Sequence, residues 1–226
     1  MDGRDQRAAH DADSPERTAR LFVAVWPPHE VARILEALER PHLRGVRWTA
    51  PPQWHVTLAF LGDVAEPGIP PLGTALVDVA ARAAATPEAR LGPATVRYGR
   101  NVLGVPVAGL DELAEAVRGA VGPLPCPVGT PSAPPDDAPP ADAPPTDPAA
   151  GGTPTRRAGT ATPSSEHPFR GHLTLARGKG GRPVPASLTG LPLEALWRVR
   201  EVCLVRSEMA AEGARYTTLV RATVGS

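Results

Sequence analysis

The chain has 226 residues, with 24 Lys and Arg against 24 Asp and Glu, and so carries no formal net charge at pH 7. That length suffices for one compact domain or two small lobes and excludes an assembly of independent cores. With no net charge, no whole-molecule field draws the protein to duplex nucleic acid or an anionic membrane, so any polyanion contact must be local. Proline at 29 and glycine at 22, beside 4% aromatic residues, exceed ordinary usage and mark part of the chain as lying outside a packed core.

Residues 1–19 are polar and charged and read as a disordered leader, and no apolar run here or later has the length a bilayer needs. Leu21 to Trp26 is an apolar run ending at Pro27-Pro28, the pattern of a buried strand stopping at a turn. Val31, Ile34, Leu35 and Leu38 follow at helical spacing, with prolines at the start, where they are tolerated, and Pro41 past the end. After a loop holding Trp48 and Pro51-Pro52, the stretch Trp54 to Gly62 is again strand-like. Leu72, Ala75, Leu76, Val79 and Ala83 define a second helix before Pro87. Ala94 to Tyr98 and Val102 to Val107 read as two strands around a Gly99-Arg100-Asn101 turn, followed by a helix through Leu110, Leu113, Val117 and Val121.

From about residue 123 to 167 the sequence contains no aromatic residue and about half the prolines of the chain. Such a stretch cannot bury enough apolar surface to offset its ordering entropy, so it reads as a disordered or polyproline-like insert. Loop-closure cost grows slowly with length, so the insert can interrupt a domain without unfolding it. Phe169 to Arg177 is a further strand, closed by Gly178-Lys179-Gly180-Gly181. Trp197 to Arg206 and Arg215 to Val224 finish the chain as a hairpin. Cys126 and Cys203 cannot build a disulfide framework and stand in no metal-binding spacing, which with the polar N-terminus reads as a cytoplasmic protein.

The pattern repeats. A strand from Leu21, a helix and a strand opening on His55-Val56-Thr57-Leu58 match a strand from Val102, a helix and a strand opening on His172-Leu173-Thr174-Leu175. Two such units with extra strands predict an α+β protein of two pseudo-symmetric lobes, each a mostly antiparallel sheet with helices on the outside and a cleft between them. Residues 20–226 then form a single bilobal domain interrupted at 123–167.

Side chains alternate across a strand, so His55 and Thr57 share one face, as do His172 and Thr174. A pseudo-twofold that joins these faces brings two imidazoles and two hydroxyls into one cleft. That set suits attack on a phosphodiester without metal: one neutral imidazole takes a proton from water, the opposite imidazolium protonates the leaving oxygen, and the hydroxyls donate to the non-bridging oxygens. Histidine fits both roles because its unperturbed pKa lies near 6.5. A single His-x-Thr is uninformative, since a strand histidine is usually a satisfied core or edge residue; two in matched apolar frames are not. A zinc site would need a third ligand, and the nearby candidates Asp63 and Glu166 sit on a turn and in the insert. His10, His29, His42 and His167 read as solvated. Arg177, at the end of the second motif strand, is either a phosphate or ribose clamp or an exposed strand-end charge. Trp48, Trp54, Phe60 and Phe169 could stack a base, but with so few aromatics most are expected in the core.

Arg20-Leu-Phe-Val-Ala-Val, Trp54-His-Val-Thr-Leu-Ala-Phe-Leu-Gly, Phe169-Arg-Gly-His-Leu-Thr-Leu-Ala-Arg, Leu204-Val-Arg-Ser-Glu and Gly213-Ala-Arg-Tyr together resemble the RNA 2′,3′-cyclic phosphodiesterases, or 2′-5′ RNA ligases, of the two-histidine phosphoesterase superfamily. The resemblance implies hydrolysis of an RNA 2′,3′-cyclic phosphate to a 2′-phosphomonoester, some members also joining RNA ends through 2′-5′ linkages. It implies His55 as proton donor and His172 as proton acceptor, with Thr57 and Thr174, and Arg177 as a further candidate, on the phosphate. It implies no metal and no cofactor. The implied partner is RNA, single-stranded or tRNA-like, carrying the cyclic end and met by a monomer away from any membrane. One departure is Gly171, where relatives often have proline before the second histidine; glycine there loosens the entry to the strand. Two other readings stay open: a weakly catalytic or non-catalytic module that holds RNA ends, and a phosphodiesterase for a small cyclic nucleotide.

Overall fold

An apolar run with no polar alternation needs cover on both faces, and the run from Leu21 finds it. The computed structural model of the protein describes residues 17–122, 168–210 and 213–225. Its elements are β1 (Thr18–Val25), α1 (His29–Ala37), β2 (Val46–Trp48), β3 (Val56–Ala65), α2 (Ile69–Ala81), β4 (Glu88–Leu91), β5 (Val96–Tyr98), β6 (Val102–Ala108), α3 (Asp111–Val121), β7 (His172–Gly178), β8 (Ala195–Arg198), β9 (Glu201–Ala210) and β10 (Gly213–Thr223). The insert expected at 123–167, with Cys126, Glu166 and His167, lies outside the described residues, as does His10.

Leu21, Val23 and Val25 of β1 enter the main core, while Phe22 and Ala24 form a second, smaller cluster on the opposite face with Cys203 and Val205. Each Val or Leu fully buried in this way contributes about 1.5–3 kcal/mol. β1 starts three residues before the expected strand, because Thr18, Ala19 and Arg20 pair with Ala65, Val64 and Asp63 of β3. Residues 17–19 therefore belong to the fold and not to a leader: Arg17 O already accepts from Glu66 N at 2.9 Å.

The strands form one antiparallel path in the order β10-β9-β1-β3-β7-β6-β4-β8, with β2 added to β7 and β5 to β6. β3 and β7 meet through a single register pair, Val56 with Leu173. At that seam the sheet divides into two halves, the two lobes expected from the repeat. Within each half the end of the first strand lies beside the start of the motif strand: Val25 pairs with Val56, and Pro106 with His172.

One expected element is corrected. Trp197 to Arg206 is not one strand of a hairpin. β8 holds Trp197 at one end of the strand path, beside β4, whereas β9 lies in the other half, between β1 and β10. Only Val199 and Arg200 separate them, so the sheet curls until those ends meet. Val199 N donates to Pro87 O at 2.8 Å and Val224 N to Arg200 O at 2.9 Å, which pins the crossing.

The helices cover the main core. α2 packs on β9, β10 and α3, and α3 on β3. Gly73 allows the close approach of α2, since a Cβ there would stand 2.9 Å from Val220 Cγ2 of β10. α1 packs along β8 and buries Val31 and Leu35. Its stripe is narrower than expected, and Ile34 stays 41% exposed. Among the described residues no helix is long and apolar enough to cross a membrane.

Candidate active site

The seam between the halves positions both motifs. Extending the antiparallel register of Val56 and Leu173 by one residue each way sets His55 opposite Thr174 and Thr57 opposite His172. Val56 and Leu173 are fully buried, which turns the four polar side chains to the other face. His55, Thr57, His172, Thr174 and Arg177 all line one pocket there, together with Thr49, Gln53 and Tyr216.

The two imidazoles are held by the same local device. His55 Nδ1 lies 2.8 Å from Gln53 O, and His172 Nδ1 lies 3.0 Å from Arg170 O. A carbonyl oxygen only accepts, so Nδ1 carries a proton in both rings and Nε2 is the nitrogen that titrates. A 3₁₀ turn at Pro51–Gln53 leads into the first motif. Gln53 Nε2 donates to Ala214 O of β10 at 3.0 Å, and Gln53 Oε1 accepts from Ala50 N at 3.1 Å. Thr49 ties the motifs together: its hydroxyl faces Thr174 O and Leu175 O, each at 2.9 Å, and accepts from the Trp54 indole at 3.1 Å.

The shells around the rings differ. His55 keeps one edge on the pocket and is otherwise enclosed by Phe22, Tyr216 and Trp26, with ring centroids at 4.9, 5.0 and 5.3 Å. Desolvation by this packing dominates and, against the hydrogen bond to Gln53 O, lowers the His55 pKa to about 4; Arg177 and His172 lower it further by repulsion. His172 instead stacks on one ring, Tyr98, at 4.4 Å and an interplanar angle of 26°. Burial pushes the Tyr98 hydroxyl up to about 12 and also raises the Tyr216 pKa, so both phenols are neutral at physiological pH.

Arg177 is not an exposed strand-end charge: it is 6% exposed and faces the pocket. None of the four aromatic residues singled out in the sequence lines this pocket. Trp54 is core, with the Arg40 guanidinium 4.9 Å from its ring. Trp48 is half-buried and donates to Pro41 O at 3.2 Å. Phe169 packs at the core margin beneath Arg118, 5.4 Å away. Phe60 departs from the expectation of burial. It pairs with Phe22 after an irregularity in the register of β1 and β3 and is 47% exposed, with Arg20 4.9 Å above its ring. His29 and His42 are exposed. Asp63 pairs with Arg20 along β1 and β3, and among the described residues no three His, Cys, Asp or Glu side chains are grouped to hold a metal ion.

Gly171 does not loosen the entry to β7. A Cβ there would run into Val107 O and stand 3.0 Å from the Phe169 ring, and Gly171 O accepts from Val107 N at 2.8 Å. Glycine is present because β6 approaches too closely for a side chain.

Residues 25–91, which include the first motif, match the family described as LigT-like phosphoesterase. Over 212 residues the chain is 32% identical to an RNA 2′,3′-cyclic phosphodiesterase of Thermus thermophilus, covering 88% of this chain and 87% of that protein. The crystal structure of TT0787, also of Thermus thermophilus, superposes with a TM-score of 0.65 at 27% identity, over 92% of this chain and 99% of that one. The fold is also that of E. coli LigT in its apo form, with a TM-score of 0.59 at 22% identity over 92% of this chain and 99% of that one. Matching extends through both halves of the sheet and across the seam where the histidines meet: the chain belongs to the LigT-like phosphoesterase family, alongside the Thermus enzyme.

Proposed function

We propose that this protein hydrolyses the 2′,3′-cyclic phosphodiester at the end of an RNA chain to a 2′-phosphomonoester, without a metal, by proton transfers through His55 and His172. The observation that carries the reading is the convergence of two imidazoles, each tied back through Nδ1, with two threonines and a buried arginine in one pocket. The name of the Thermus relative supplies the substrate class.

In this reading Thr57, Thr174 and Arg177 hold the non-bridging oxygens, where charge accumulates as water attacks phosphorus. His172 Nε2 takes the proton of the attacking water. The P–O3′ bond breaks, and His55 Nε2 gives its proton to O3′, leaving the phosphate on O2′. A 5′-hydroxyl in place of water gives a 2′-5′ linkage by the same transfers. Burial holds His55 neutral in the free protein, so its donor role requires that its proton arrive with the substrate. A phosphodiester anion offsets the Arg177 charge and favours the imidazolium. The depressed pKa also favours a second assignment, with His55 as acceptor. A substrate with sulfur in place of O3′ separates the two, since its better leaving group rescues loss of the donor and not of the acceptor.

The test is product analysis on a 2′,3′-cyclic-phosphate oligonucleotide in the presence of EDTA. Turnover to the 2′-phosphate is expected, and His55→Ala and His172→Ala should each cut it by about 10²–10⁴-fold while the unfolding midpoint stays near that of the parent. Retention of the oligonucleotide without turnover, or undiminished turnover by either variant, refutes the proposal.

A further inference from the structure

His172 meets one aromatic face, and the backbone around it is shaped to admit that face. Tyr98 lies on β5, whose partner β6 runs between it and β7: Val96 pairs with Gly104, and Gly104 in turn with Thr174 of the second motif. Gly104 sits at an irregularity in the register of β6 with β7. A Cβ at this position would stand 3.1 and 3.3 Å from two carbons of the Tyr98 ring and 2.8 Å from Leu173 O. The missing side chain thus lets the tyrosine ring lie flat across β6 and reach the imidazole on the next strand.

We propose that Tyr98 is the positioning residue of His172: admitted by Gly104, its ring fixes the imidazole plane and stabilises the positive charge His172 carries when it has taken a proton. A stacked aromatic face attracts an imidazolium more strongly than a neutral imidazole, so the contact strengthens as the proton moves. The hydroxyl is not needed for this, and burial keeps it protonated. Among the described residues the other groups facing His172 are His55, which precedes β3 and is neutral in the free protein, and Arg177 further along β7, whose charge opposes an imidazolium, with Arg170 before β7 and the neutral hydroxyls of Thr57 and Thr174. β6 brings only Pro106 opposite it. Tyr98 thus joins the Arg170 carbonyl, which accepts from Nδ1, in favouring the charged ring.

The inference rests on the catalytic reading above, so its test includes a readout that does not depend on turnover. His172 is titrated by NMR of its ring carbons in full-length protein, parent and variants. In Tyr98→Leu the titration midpoint should fall by roughly half a unit. Turnover of the cyclic-phosphate oligonucleotide should drop about tenfold, in kcat more than in KM, with the limb of the pH profile that follows His172 moving likewise. Tyr98→Phe should restore all three, and Gly104→Ala should move them in the direction of Tyr98→Leu. The proposal is overturned by an unmoved titration in a folded Tyr98→Leu protein, or by a Phe variant as impaired as the Leu one. A parent protein that turns nothing over while the titration shifts as stated would sink the phosphodiesterase reading and leave the stacking role standing.

Discussion

Thr49 is the most economical place to test whether the two motif strands are held as a unit. It is 7% exposed, and its hydroxyl lies 2.9 Å from the carbonyls of Thr174 and Leu175 and accepts the Trp54 indole N–H at 3.1 Å. Thr49→Val keeps the shape and removes the oxygen. The Trp54 N–H, on a ring 1% exposed, then has no acceptor, a cost of about 1–3 kcal/mol, and the donation to β7 is lost for about 1 kcal/mol more. Leu175 O keeps its bond from Thr49 N at 2.8 Å, so the strand itself should persist. The expected loss is about 2–4 kcal/mol, which at a urea dependence of about 2 kcal/mol per molar lowers the unfolding midpoint by about 1–2 M. Thr49→Ser retains the hydroxyl and should cost about 1 kcal/mol or less. Because Trp54 immediately precedes His55, turnover by the Val variant should fall about tenfold or more. The reasoning fails if Val lies within about 0.5 kcal/mol of the parent, or if Ser is as damaging as Val.

Three other outcomes follow from the same geometry. His55 has a folded-state pKa of about 4 against 6.5, so the unfolded chain binds the extra proton and the contribution of this group, full above about pH 6.5, is lost as pH falls from there towards 4. Urea midpoints measured across that window should decline less steeply in His55→Asn than in the parent; parallel curves contradict the burial argument. Arg177→Met should raise KM for the cyclic-phosphate substrate by about 10–100-fold, the loss of a charge-assisted contact, and should shift the His55 NMR titration upward by removing a repulsive neighbour. Gly171→Ala should cost about 1–3 kcal/mol by driving a methyl into the Val107 carbonyl, and a midpoint unchanged within error would show that β6 yields instead.

What the sequence disclosed was periodic. His55 and Thr57, and His172 and Thr174, are two residues apart on strands whose intervening positions are apolar, and a period of two decides which face each occupies without any tertiary information. The repeat of strand, helix and strand was visible for the same reason, because α3 and the core faces of β3 and β7 carry their own stripes. Thr49 and Gln53 were illegible: they lie in a loop, and the carbonyls they serve are 125 or more residues away. Tyr98 and Tyr216 sit on strands, but whether a strand face looks into the pocket depends on which neighbour it pairs with, and single-strand patterning does not contain that. β2 has three residues and β4 four, too short for any period to show. Trp197 and Val202 are both buried with buried Val199 between them, so the pattern runs on across the point where β8 ends and the chain passes to the other half of the sheet.

The internal repeat alone would give a site unable to divide labour. Two imidazoles related by a pseudo-twofold, each held through Nδ1 by the carbonyl two residues earlier, would share one environment and titrate together, whereas acid and base must differ in protonation at the same pH. The aromatic side chains packed on the two rings remove that degeneracy. β10 places Tyr216 against His55 and accepts from Gln53 at Ala214 O, while β1 adds Phe22 and the residue following it, Trp26. In the second half β5 offers His172 one stacked ring. The duplicated motif therefore sets where the two nitrogens stand, and the unequal rings packed around them keep His55 neutral until a substrate anion favours its protonation, the order that the proposed donor role requires.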